Sequence, residues 1–105
     1  MALPSKVKIG PLVYEVQEAI PTLGDATLIG EALHRDGIIR LRTDLPFQQK
    51  ELTFIHEVLH GIMYVAGFPG GGDDEITVSS EELTSRLAIV LYGFLKDNGF
   101  WPDGK

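Results

Sequence analysis

Three residues in one stretch of this chain could do chemistry together. They are His56, Glu57 and His60, set in the run Leu52-Thr53-Phe54-Ile55-His56-Glu57-Val58-Leu59-His60-Gly61-Ile62-Met63. On a helix, residues four apart differ by about 40° in direction, so both imidazoles can reach one metal ion. Glu57 falls on the neighbouring flank of the same turn, where its carboxylate can face a water at that metal rather than the metal itself. Neutral imidazoles are zinc-type ligands, and a carboxylate so placed is a candidate general base. A pattern with only three fixed positions also arises by chance as surface decoration. Against chance, the chain has only three histidines, and two of them are in the motif. Leu52, Ile55, Leu59, Met63 and Ala66 recur at helical spacing beside the histidines, so the segment reads as a core helix. Imidazoles on a buried helix face need partners for their ring nitrogens, and a metal ion supplies them.

A hydrolytic zinc site keeps three protein ligands and one open position. The chain has no cysteine, which leaves His, Asp or Glu as the third donor. His34 sits beside Asp36-Gly37 and reads as a turn-flanking residue rather than a ligand. Glu81 and Glu82 are better placed, at the start of a later helix that can pack on the first. Glu82 is the capping-box partner of Ser79, which leaves Glu81 free. Glu81, Thr84 and Ala88 also form a stripe of small side chains with room for an ion. Glu81 is therefore preferred over Glu82, although acids in a first helical turn also simply complement the helix dipole.

The elements that must position these residues read as an α+β fold. Strands are expected at 7–9 and 12–16, split by the turn Gly10-Pro11, after which 21–25 is a loop. Further strands are expected at 27–34 and 38–42, joined by a two-residue hairpin turn at Asp36-Gly37. Short connections imply an antiparallel meander of about four strands. A helix over 46–66 follows, with Asp44 available as a cap, Pro46 in the first turn and a stop at Gly67. The glycine-rich, acidic stretch 68–75 reads as a loop that could cover a cleft. A second packed helix is expected from Ser79 to near Asp97-Asn98-Gly99, with Leu83, Leu87, Val90, Leu91, Phe94 and Leu95 as its periodic apolar residues. Phe100-Trp101-Pro102 reads as a tail packed back on the core.

At 105 residues, 44% hydrophobic and 23% charged, the chain is expected to form one domain over 1–105. A net charge of −6 argues against a basic nucleic-acid surface. Arg35, Arg40 and Arg42, gathered in one hairpin, read as a solvated edge rather than an anion site. No leader segment and no membrane span is evident, so a cytoplasmic protein without a membrane partner is the expectation.

An antiparallel sheet leading into an H-E-x-x-H helix, with a glutamate-bearing helix further on, resembles the zincin metallopeptidases of the gluzincin type. The short chain, the run Thr53-x-x-His56-Glu57-x-x-His60 and the ending Leu87-Ala88 … Leu95-Lys96-Asp97-Asn98 are similar to small phage- or prophage-associated zincin-like proteins, distantly like the ImmA/IrrE metallopeptidases. The resemblance covers about residues 6–98. It implies a Zn2+ ion held by His56, His60 and Glu81, Glu57 as catalytic base, and hydrolysis of a peptide or protein substrate. Where larger relatives carry Glu-x-Glu-Ala-Asn, this chain has Glu81-Glu82-Leu83-Thr84-Ser85. Such a reaction needs a donor for the developing oxyanion, and the sequence does not choose among Tyr14, Tyr64, Tyr92 and His34. The fourth strand, 38–42, could present an edge to an extended peptide. A non-catalytic zincin-fold module that binds metal or a partner, such as a phage accessory or regulatory protein, is the other reading. A chain this small offers little wall for a cleft. The sequence leaves the oligomeric state open.

Overall fold

The computed structural model describes residues 3–19, 29–67 and 80–100. It opens with β1 (Lys6–Ile9) and β2 (Leu12–Ala19), an antiparallel hairpin in which Ile9 faces Leu12. The tight turn between them works because Gly10 takes a φ of 57°, a left-handed conformation suited to the first position of such a loop. β3 (Gly30–Leu33) and β4 (Ile38–Arg42) form a second antiparallel hairpin. Their connection is the loop 34–37 and not the expected two-residue turn, since Leu33 pairs directly with Ile38. Inside it the Asp36 amide donates to the Leu33 carbonyl at 3.1 Å, and the Gly37 amide to that of His34 at 3.3 Å.

The larger correction concerns strand order. The sheet runs β1-β2-β4-β3, with β4 parallel to β2 and Val16 opposite Ile39, so it is mixed and not a meander. A two-residue turn forces its strands to be neighbours, whereas the longer connection 20–29 permits β3 to skip one position. β4, expected as an edge for a peptide, is therefore interior, and β1 and β3 are the edges. Alternation along β4 buries Ile39 and Leu41 and turns Arg40 and Arg42 the other way. Arg40 donates to Glu31 at 2.8 Å and to Gln17 at 3.3 Å, and Arg42 pairs with Asp44 at 2.7 Å.

α1 (Phe47–Ala66) lies across the sheet and ends at Gly67, whose φ of 80° gives the expected left-handed cap. Asp44 does not cap it. The N-cap position is Pro46, without a side-chain bond, and the Asp44 carboxylate is engaged by Arg42 instead. Phe54 and Ile55 join Ile9, Tyr14, Ile39, Leu41 and Ala88 in the core.

α2 (Ser80–Asp97) packs on α1 and runs antiparallel to it, bonding His60 through Glu81 at one end and Glu51 through Tyr92 at the other. Of its expected apolar face, Leu91 and Leu95 pack against the core, and the rest is turned away from it. Thr84 and Ala88 are buried, whereas Leu87, Val90 and Phe94 remain 47%, 71% and 51% exposed. Phe100 packs on Phe94 at 5.7 Å between ring centroids and is itself exposed, so it is not folded onto the core. The expectations for 20–28, the glycine-rich loop 68–75, Ser79 as a cap and Trp101-Pro102 lie outside the described residues. Among the described residues no helix is long and apolar enough to cross a membrane.

Candidate metal centre

Because α1 is a regular helix through residues 56 to 60, it stacks the two imidazoles one turn apart. Their ring centroids are 4.8 Å apart and their Nε2 atoms 3.2 Å apart. Glu81, in the first turn of α2, reaches both: Oε2 lies 2.9 Å from His56 Nε2, and Oε1 lies 2.9 Å from His60 Nε2. The histidine side chains are 16% and 13% exposed and the glutamate 68%, so the group sits at the rim of the helix pair. Donor atoms of His56, His60 and Glu81 all fall within 4.8 Å of one another, an arrangement that could hold a metal ion.

Hydrogen bonding satisfies this cluster only by crowding two N–H groups together. Each Nε2 of a neutral ring presents either one proton or one lone pair. If both rings donate to Glu81, two N–H groups are left side by side at 3.2 Å. If instead one ring donates to the other, the accepting lone pair faces a carboxylate oxygen at 2.9 Å. A cation among three lone pairs removes the conflict. Metal–ligand bonds of about 2.0–2.1 Å in tetrahedral geometry put donor atoms about 3.3 Å apart, close to the 3.2 Å between the two Nε2 atoms, and each Nε2 has one Glu81 oxygen 2.9 Å away. The donor set thus fits an ion that takes nitrogen and carboxylate ligands. Ser85 Oγ stands 3.5 Å from His56 Nδ1, at the outer limit of a hydrogen bond. Sequence reasoning passed over it, although it lies four residues past Glu81 on the same helix face.

Glu57 stays outside this group. It is 6% exposed, and its Oε2 lies 3.2 Å from where a Cβ on Gly30 would be, so the carboxyl is tucked beneath the edge strand β3. Burial pushes its pKa up to about 8, and the nearby charges of Glu81 and Glu31 add to the shift. Glu81 behaves oppositely: burial favours its neutral form, but its bonds and charge interactions with His60 and His56 outweigh that and lower its pKa.

The remaining candidates separate cleanly. Glu82 turns to Arg86, 2.6 Å away along α2, and takes no part in the cluster. His34 bonds the Tyr14 hydroxyl through Nδ1 at 3.1 Å and stacks on Tyr64 at 4.5 Å between centroids, with planes 7° apart. Burial, then the charge of His60, lowers its pKa and keeps the ring neutral. Of the four oxyanion candidates, Tyr14 is fully buried and Tyr92 donates to Glu51 at 2.6 Å, which leaves His34 and Tyr64.

No model of a protein family matches this chain, and no match is found among curated proteins or solved structures. A functional reading therefore rests on the geometry of the site.

Proposed function

We propose that this chain is a zinc-dependent metallopeptidase of a minimal zincin type. The observation that carries the reading is the convergence of His56, His60 and Glu81 beside a buried Glu57. These three side chains would hold Zn2+, which when bound supplies Lewis-acid polarisation of a peptide carbonyl. Glu57 is the proton carrier. Burial raises its pKa to about 8 in the metal-free protein, and a bound cation nearby would favour the carboxylate, the form that accepts a proton. It accepts a proton from the attacking water on a carboxylate oxygen and delivers it to the departing amine nitrogen. β3 is an edge strand and Gly30 lies against Glu57, so a peptide paired along the free side of β3 would pass close to that carboxyl.

Elemental analysis of protein purified without chelators should find one zinc per chain, lost in His56→Ala and Glu81→Gln. Glu57→Gln should retain zinc while turnover of a peptide substrate falls about 10²–10⁴-fold. Wild-type protein that holds no stoichiometric metal would end the proposal. The second reading is a partner-binding module on the same scaffold, favoured by the exposed Leu87, Val90 and Phe94. It expects Glu57→Gln to leave partner affinity unchanged.

A further inference from the structure

Glu51 is fully buried in α1, and neither the sheet nor the metal centre uses it. Its Oε1 accepts the Tyr92 hydroxyl at 2.6 Å and lies 3.5 Å from Lys96 Nζ, both on α2. Its Oε2 is buried with no hydrogen-bond partner. An acid so placed is costly to keep, and an apolar side chain of similar volume would serve packing better.

The face that α2 presents makes sense of it. Glu81, Ser85, Ala88, Tyr92 and Lys96 follow at i, i+4, i+7, i+11 and i+15, one continuous stripe turned to α1. On the opposite side of the helix, about 165° round, lies a bulkier apolar stripe containing Leu87, Val90 and Phe94, which stays exposed. Turning that stripe inward would bury Leu87, Val90 and Phe94 but expose Leu91 and Leu95, which pack against the core. Such a rotation would carry Tyr92 and Lys96 away from Glu51 and leave both of its carboxyl oxygens buried and unbonded. It would equally swing Glu81 away from the histidines. The two polar contacts stand toward opposite ends of one rigid helix, about 16 Å apart along it from Glu81 to Tyr92, so fixing one fixes the rotation at the other.

We propose that Glu51 is the positioning residue for the third metal ligand: by holding Tyr92 and Lys96 it sets the rotation of α2 that delivers Glu81 to His56 and His60. The inference rests on reading that cluster as a metal centre. Its test compares wild type, Glu51→Met, Glu81→Gln and the double variant. Zinc affinity is measured by competition with a chromogenic chelator, and imidazole nitrogen shifts of His56 and His60 are recorded in the metal-free proteins. Glu51→Met should weaken zinc binding on the order of 10–100-fold. In the Glu81→Gln background it should add almost nothing, because its effect passes through Glu81. In metal-free protein it should move both ring signals toward those of Glu81→Gln.

Unchanged zinc affinity in Glu51→Met overturns the proposal, as does an equal loss with and without Glu81. A merely structural Glu51 would lower the unfolding temperature and leave the ring signals of the folded protein in place. If wild type binds no zinc, the metal reading fails by itself, and the ring signals alone decide whether Glu51 positions Glu81. Tyr92→Phe breaks the same contact from the α2 side and repeats every comparison should Glu51→Met not fold.

Discussion

The chemistry of Glu57 follows from where its carboxyl is kept. Its pKa of about 8 comes first from burial and then from the charges of Glu81 and Glu31. In the folded protein the proton is held well above the ordinary carboxyl range, whereas the unfolded chain releases it near 4.5. Between those values the native state binds more protons, so the contribution of this group is fully present below about pH 4.5 and is lost as pH rises through about 8. Metal-free wild type should accordingly lose stability relative to Glu57→Gln across that window. The gap should be small in acid and on the order of 5 kcal/mol above it, read by chemical denaturation in chelator. A gap that does not change with pH would mean that Glu57 is ionised in the fold. That His56, His60 and Glu81 could come together was legible at this scale, because helical spacing and the capping pattern are local. Ser85 and Glu51 were not. Their importance lies in what faces them from the other helix.

At the scale of elements, α1 and β3 meet so closely that only a glycine fits. A Cβ at Gly30 would lie 2.6 Å from Thr53 Cγ2 and 3.2 Å from Glu57 Oε2. Gly30→Ala should therefore destabilise the protein by about 1–3 kcal/mol in equilibrium unfolding. Thr53→Ser, which removes the nearer methyl, should recover part of that loss; no recovery would place the strain elsewhere. α2 was the least legible element. Its sequence carries two candidate inner faces, one apolar through Leu87, Val90 and Phe94, the other small and polar through Thr84, Ser85 and Ala88. Periodicity favours the first. The fold turns the second inward together with Leu91 and Leu95, which pack on the core, and there Glu81 and Tyr92 find partners on α1.

For the whole molecule, a cation held by two elements is a cross-link that only the folded chain can offer. Zinc at a hundred times its dissociation constant should add about 2.7 kcal/mol, raising the unfolding temperature reversibly with chelator. Glu81→Gln should abolish most of that gain; an unaltered response in this variant would mean that zinc binds elsewhere. What the sequence determined by itself is what short-range physics encodes. The hairpin at Gly10-Pro11, the strand alternation of Ile39 and Leu41, the span of α1 and its stop at Gly67 all follow from turn residues, period and caps within a few positions. The pair of histidines on one helix face belongs with them. Only the tertiary structure decided that β4 slots between β2 and β3, that β3 becomes an edge, and that α2 turns Thr84, Ala88, Leu91 and Leu95 inward. Each of those choices sets groups far apart in sequence against one another, through long connections that carry no pairing signal. Strand order and helix rotation are settled by the partners that buried polar groups find, and those partners exist only once the chain has closed on itself.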